Sequence, residues 1–496
     1  MDKLLIVVPI ALYLAVNLGV GIWASREQAS ANKSGFINQY FIGGRSMGGL
    51  VLAMTLIATF TSASSFIGGP GVASARGLSW VFLSMIQVPT AFLILGVLGK
   101  KFAVISRKIN AVTVTDYLRA RYQSPAVVIL SSIALVLFFI AMMIGQFIGG
   151  AVLFQTVTGY SYIVGLTLFA LIVVIYTTIG GFKAVVITDT IQGLVMVFGT
   201  ILILFAIIQA GGGIDAITTK LDVINPEWSI PTGNGSAKVY VLSFWILVGL
   251  GVLGLPQTAV RGMGFKDTKS LHNAMIYGTI VIGFLMLGMH IAGVFAKVLV
   301  PADLASTDLV IPTVVLQVMH PVVAGLFLAA PLAAVMSTVS SLLILASAAI
   351  IKDIYLNYIV KDKTEETEQK FNAKIGKMST IGTAVIGVIV FAMAVVPPDL
   401  IVWINLFAFG GLEAAFLCPI IFGLYWKRAN ATGAILSFVC GVGFFLYCGY
   451  FKLSFFGMHN IVFTILIAII AFIIGSLVGK KPSDETIELF FSEKSN

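Results

Sequence analysis

The chain is a succession of apolar runs of about 20 residues or more, separated by short polar breaks. Within each run the apolar residues are continuous. They do not alternate with polar ones, as in barrel strands, which are about 10 residues long. The runs predict helices at 4–24, 47–74, 79–99, 125–156, 160–179, 185–209, 238–260, 273–298, 318–351, 378–396, 400–425, 431–451 and 460–479, numbered here as spans 1 to 13. In lipid every backbone N–H and C=O must find an internal partner, which a helix provides. The expected fold class is therefore an all-α polytopic membrane protein with about 13 transmembrane helices. Span 1 has no clear small-residue cleavage site after it and reads as a retained span, not a signal peptide. The longest polar stretches are 210–237 and 352–377, and the second, with Lys-Asp-Lys-Thr-Glu-Glu-Thr-Glu at 361–368, reads as a solvated linker.

Composition agrees with the pattern. Of 496 residues, 59% are hydrophobic and 10% charged, against about 25% charged in soluble domains. The net charge of +9 is spread over short loops, so it carries no nucleic-acid signal. Cys418, Cys440 and Cys448 lie in apolar runs without metal-ligand spacing and read as small buried hydrophobes. With the N-terminus outside, 24 of the 30 Lys and Arg residues fall on inner loops, leaving Lys3, Arg76, Lys220, Lys238, Lys297 and Lys452 outside. This predicts a multi-pass protein of the cell membrane with its C-terminus in the cytoplasm. In this count Arg261 is an inner-loop residue, and no Lys or Arg falls in the middle of any span. No Gly-x-x-x-x-Gly-Lys-Ser/Thr occurs, so a pump of this sequence would draw on an ion gradient instead of ATP. No Ser/His/Asp or Cys/His set stands out, which argues against an intramembrane enzyme.

Three spans are not bland. Span 2 carries six hydroxyls and a Gly-Gly-Pro-Gly run between Ala53 and Gly71. Span 7 carries Gly249, Gly251, Gly254 and Pro256. Both features weaken a helix, although small residues also serve helix packing. Two such spans, separated by four others, match corresponding positions of an inverted repeat and point to a midplane binding site. In span 9, Ala334, Ser337, Thr338 and Ser341 share one helix face. Their oxygens suit a small monovalent cation, or else bond back to the preceding turn. Asp189 at the start of span 6 is either buried and functional or interfacial. Glu413 in span 11 either pairs with a neighbour or faces a cavity, and His290 in span 8 reads as a satisfied helix contact.

Five segments in order carry a resemblance: Tyr-Phe-Ile-Gly-Gly-Arg-Ser-Met-Gly-Gly (40–49), Val-Thr-Asp-Tyr-Leu-Arg-Ala-Arg-Tyr (114–122), Tyr-Thr-Thr-Ile-Gly-Gly-Phe-Lys-Ala-Val-Val-Ile-Thr-Asp-Thr-Ile-Gln (176–192), Ala-Ala-Val-Met-Ser-Thr (333–338) and Gly-Leu-Tyr-Trp-Lys-Arg-Ala-Asn-Ala-Thr-Gly-Ala (423–434). Through them the chain resembles the sodium/solute symporter family over nearly its whole length. Ser-Ala-Ser-Ser-Phe-Ile-Gly-Gly-Pro-Gly (62–71), Leu-Pro-Gln-Thr-Ala-Val-Arg (255–261) and Leu-Phe-Ala-Phe-Gly-Gly-Leu-Glu-Ala (406–414) draw the likeness toward the pantothenate-carrying branch. The proline-carrying branch has an acidic residue where this chain has Phe60.

The resemblance implies one transmembrane transporter domain, 1–496, of the leucine-transporter type. Its inverted repeats of five helices would span about 47–209 and 238–425, with peripheral helices 4–24, 431–451 and 460–479. It implies a co-transported Na⁺ held by Ala58 and Thr61 of span 2 and by Ala334, Ser337 and Thr338 of span 9. A second Na⁺ position would use Asp189, Ser340 and Ser341. The solute implied is pantothenate or a related small organic anion, with another Na⁺-coupled solute, a channel or a transporter-like sensor as the rival readings. Ser64, Ser65, Gln87, Gln146, Gln257 and Thr258 are the donors expected to meet it, because the anion needs hydroxyls, amides or half-helix N-termini.

Overall fold

The computed structural model describes residues 3–30, 47–359 and 368–492. Residues 40–46 of the first motif lie outside the described residues, as do Lys33, Arg45, Lys361, Lys363 and Lys494 of the charge pattern. So do the side chains of Arg26, Lys183 and Lys370.

The described chain is helical throughout, with two isolated bridges, Met47 to Phe265 and Phe455 to Met458. Ten helices are long and apolar enough to cross a membrane, and twelve if each of two bent helix pairs counts as one span. Among the described residues the count of thirteen is not confirmed: spans 5 and 6 lie in one run of helical residues, Tyr162–Gly211, in which Tyr162–Thr178 is a further, shorter apolar stretch. Span 9 continues beyond its expected end, because Pro321–Ala348 runs into a π-helical segment, Ala349–Ile359. Residues 352–359 are therefore helix, where a solvated linker was expected.

Burial sorts the helices into a core and a lipid-facing shell. The apolar stretch of Pro321–Ile359 is 94% buried within the protein and that of Ile401–Tyr425 83%, against 22% for Leu4–Trp23 and 33% for Lys374–Ala394. Spans 9 and 11 are thus central, while spans 1 and 10 turn most of their surface outward. Leu12, Leu137, Leu171, Phe205, Ile280, Val388 and Ile474 are large, apolar and exposed. Such exposure suits a hydrocarbon solvent, in which apolar surface carries no penalty.

A polar cluster ties one end of the bundle together. Thr113 and Asp116 form a capping box at the start of the short helix Val114–Tyr122. Asp116 also accepts from the Val112 N–H at 2.9 Å and pairs with Lys352. Burial pushes the Asp116 carboxyl up, but the Lys352 ammonium and the backbone N–H group outweigh this and hold it below its ordinary value. From the same helix Arg121 donates to the carbonyls of Gly423 at 2.8 Å and Trp426 at 3.0 Å, at the end of span 11. Cations suit that position, where helix carbonyls lack backbone partners.

Candidate cation and solute site

Span 2 breaks midway along its length. Helix Gly49–Phe60 ends at Thr61, whose backbone is extended (φ −77°, ψ 130°), and the chain resumes as Ser64–Arg76 at an angle of 72°. The Gly-Gly-Pro-Gly run lies beyond the break, with Pro70 in the first turn of helix Gly69–Arg76, where its missing N–H is tolerated. Its glycines allow close packing there: a Cβ on Gly71 would lie 2.1 Å from the Thr307 carbonyl oxygen. Donors freed at the break are met by side chains. The Ala63 N–H donates to Gln146 Oε1 at 2.8 Å, and those of Ser62 and Ser64 reach Ser65 Oγ and Ser62 Oγ.

The freed carbonyls face span 9. Ser337 Oγ lies 2.7 Å from the Ala58 carbonyl oxygen and 3.1 Å from that of Ala334. Thr338 Oγ1 lies 3.0 Å from the Thr61 carbonyl oxygen and 2.9 Å from that of Ala334. Each hydroxyl has a single proton for two carbonyls. Three carbonyls and two hydroxyls therefore converge with two protons among them, all fully buried. The Thr61 hydroxyl beside them has no hydrogen-bond partner among the described residues. Five neutral, oxygen-rich ligands between an unwound helix and an intact one form a set suited to a small monovalent cation.

One turn further along span 9 lies a charged cluster. Asp189 is fully buried within the protein. Its Oδ2 accepts from Thr55 Oγ1 at 2.6 Å and pairs with Arg261 Nη2 at 3.3 Å. Arg261 also donates to Thr59 Oγ1 at 2.8 Å and to Ser341 Oγ. The inner-loop assignment of Arg261 is overturned, because the residue is buried in the last turn of the half-helix that ends span 7. Span 7 breaks like span 2, with Lys238–Gly254 and Pro256–Met263 meeting at 43°, and the second piece carries Arg261 into the bundle with no exposure. The expected span stops at residue 260, one residue short of Arg261, while the half-helix runs on to Met263. Asp189 and Ser341 thus come together as expected, with the Arg261 guanidinium between them. Ser340 turns aside and bonds the Ser337 carbonyl at 3.1 Å.

A pocket opens beside the break, between spans 2, 3, 7, 8 and 11. Its polar lining is Ser64, Ser65, Ser84, Gln87, His290 and Asn405, with Trp80 and Phe409 as aromatic walls. Ser64, Ser65 and Gln87 were expected here. Gln146 is not in the lining but caps the break; Thr258 bonds the Leu255 carbonyl of its own helix at 2.9 Å. Gln257 sits 3.9 Å from Met142 Sδ with its Oε1 unpartnered among the described residues. Sequence reasoning missed Asn405, whose Nδ2 lies 3.4 Å from Ser64 Oγ and whose Oδ1 is without a partner among the described residues. The available signal was a lone amide in an otherwise apolar run. His290 does bond its own helix, through Nδ1 to the Met286 carbonyl at 2.6 Å, but it also lines the pocket. No charged side chain lines the pocket, and Arg76 stacks over Trp80, 5.7 Å from the ring centre, and over Trp403 at 5.8 Å.

The chain is similar to known proteins over nearly its whole length. The sodium/pantothenate symporter of Haemophilus influenzae is 47% identical over 483 residues, 97% of this chain and 98% of that protein. The sodium/pantothenate symporter of Escherichia coli is 45% identical over 487 residues, 98% of this chain and 99% of that one. Among solved structures, a substrate-bound, outward-open Na⁺-coupled sialic acid symporter superposes with a TM-score of 0.77 at 23% identity, covering 97% of this chain and 99% of its own. At that identity the likeness is one of fold. Residues 40–441 match the sodium:solute symporter family itself, and the chain belongs to that family.

Proposed function

We propose that the protein is a secondary active transporter that couples inward Na⁺ flux to uptake of pantothenate by alternating access. The observation that carries the coupling is the convergence of the Ala58 and Thr61 carbonyls with Ser337 and Thr338 across the break of span 2. An ion there ties a broken helix to an intact one, so its affinity depends on their relative position. Such differential affinity is what links an ion gradient to a conformational change. The near full-length likeness to two sodium/pantothenate symporters supports pantothenate as the solute. Its amide and hydroxyls find partners in Ser64, Ser65, Gln87 and Asn405, and its carboxylate is drawn by Arg76 at the aromatic wall. The protein resides in the cell membrane with its N-terminus outside.

Uptake of labelled pantothenate into proteoliposomes tests this reading. Accumulation should require an inward Na⁺ gradient. Equilibration without accumulation would indicate a channel, and binding without flux a sensor; accumulation of another organic anion in its place would replace the solute. Arg76→Ala is expected to raise KM for pantothenate about tenfold, the loss of one charge-assisted contact, with kcat nearly unchanged. An unaltered KM removes Arg76 from the site.

The second Na⁺ position implied at Asp189, Ser340 and Ser341 is taken by Arg261, whose guanidinium supplies the positive charge between Asp189 and Ser341, so we expect one Na⁺ to be coupled. The expected Na⁺ dependence of initial uptake is a unit Hill slope, unchanged in Ser341→Ala. A slope near 2 that falls to 1 in that variant would instead place a second Na⁺ there.

A further inference from the structure

Glu413 lies on span 11 with 1% exposure, and neither of its carboxyl oxygens has a hydrogen-bond partner among the described residues. Its carboxyl rests against the break of span 7: a Cβ on Gly251 would come within 2.1 Å of Glu413 Oε2 and 2.3 Å of its carboxyl carbon. Only glycine admits the carboxyl at that place. The next glycine of the break, Gly254, meets Leu417 of the same helix face, so Glu413 and Leu417 together seat the 3₁₀ segment Leu250–Gly254.

The arrangement repeats that of the other half of the protein. Asp189 belongs to span 6 and touches broken span 2 through Thr55. Glu413 belongs to span 11 and touches broken span 7 at Gly251. In each half the fifth span sets one buried acid against the broken first span. The two acids differ in their compensation, because Asp189 has Arg261 and Glu413 has no ion pair among the described residues.

The surroundings supply no substitute. Spans 4 and 13 and the segments Ser64–Gly68 and Leu250–Gly254, all packed against span 11, carry no charged or titratable side chain. Helix Lys238–Val248 brings Lys238 and Tyr240. Span 12 brings Cys440, Tyr447, Cys448 and Tyr450. Helix Val114–Tyr122 brings Asp116, Tyr117, Arg119, Arg121 and Tyr122, of which Tyr117, Tyr122 and Arg121 are bound to the Ile420, Pro419 and Gly423 carbonyls. Cys418 and Tyr425 lie on span 11 itself. None of these residues hydrogen-bonds to Glu413.

A buried carboxylate without a partner costs several kcal/mol, so such a group is held as the neutral acid. A metal cation would need several oxygens around it; a proton needs one. We propose that Glu413 is a proton-binding site that controls the seating of span 7 on span 11. With the proton on, the neutral carboxyl packs against Gly251 in the dry arrangement described. When the break of span 7 shifts and water enters, the O–H bond breaks, the proton leaves as hydronium, and the hydrated carboxylate resists reseating. Raising the pH therefore favours the unseated arrangement and slows the cycle. This assignment is independent of which solute is carried.

Infrared difference spectroscopy of the full-length protein, free of solute, is the first test. At pH 7 the wild type minus Glu413→Gln spectrum should show the carbonyl stretch of a protonated carboxyl group; carboxylate bands in its place overturn the proposal. The second test is pantothenate uptake at fixed Na⁺ gradient across pH. Wild-type uptake should fall as pH rises, no more steeply than about tenfold per pH unit for one site, while Glu413→Gln stays flat. The wild-type profile retained in Glu413→Gln overturns the assignment. If that variant fails to insert, Glu413→Asp keeps a titratable group with a shorter reach to Gly251, so the pH midpoint should move; an unmoved midpoint overturns it equally. Failure of wild-type uptake with the protonated band present would count against pantothenate and leave Glu413 in place.

Discussion

Replacing Ser337 and Thr338 together by alanine is expected to raise the Na⁺ concentration for half-maximal uptake at least tenfold while the protein still inserts in the membrane. The two hydroxyls supply two of the five converging oxygens and bridge from span 9 to the Ala58 and Thr61 carbonyls at 2.7 and 3.0 Å. The double substitution leaves those carbonyls as buried acceptors without donors. That costs about 1–3 kcal/mol for each group, and a tenfold change corresponds to about 1.4 kcal/mol. Insertion should survive, because backbone pairing within the rest of span 9 does not depend on these side chains. The measurement is initial uptake against Na⁺ concentration, with surface expression quantified alongside. Normal uptake at unchanged Na⁺ dependence would remove these residues from the ion site.

Arg261→Ala is expected to destabilise the protein by about 3–5 kcal/mol, because it leaves a buried carboxylate without its counter-charge. Asp189 and Arg261 are both without exposure, and Thr55, Thr59 and Ser341 complete their network. Asp189→Asn should destabilise for the converse reason. The double variant Asp189→Asn/Arg261→Gln removes both charges and should recover most of the loss, since a neutral pair in a low-dielectric interior avoids the desolvation of two ions. Thermal unfolding of the purified transporter checks this through the double-mutant cycle. Additive losses in the double variant would mean that the two charges do not act as a pair.

Much of the architecture was legible along the chain. A hydrocarbon solvent imposes a one-dimensional rule: an apolar run long enough to cross must be a helix. The break in span 7 was legible as well, from Gly251, Gly254 and Pro256, because backbone propensity acts locally; that of span 2 falls at Thr61–Ala63, ahead of its Gly-Gly-Pro-Gly. The hydroxyl face of span 9 followed from helical spacing alone. Spans 5 and 6 were harder, since no loop separates them and Tyr162–Gly211 is helical throughout.

What each polar residue does was not decided along the chain. Gln146 and Gln87 are the same side chain in apolar runs, yet one caps the Ala63 N–H and the other lines the pocket. Arg261 followed an apolar run like any loop cation, and only the re-entry of Pro256–Met263 brought it to Asp189, 72 residues away in sequence. Lys352 likewise reaches Asp116 across 236 residues. The sequence by itself determined that this chain spans a membrane as helices, that two of them break and which face of span 9 carries hydroxyls. These depend on solvent, spacing and backbone freedom, all local properties. The tertiary structure decided which carbonyls meet those hydroxyls, that Asp189 has a counter-charge and that Glu413 has none. Those outcomes depend on which helices pack against which, and in a low-dielectric interior the neighbour fixes the charge state.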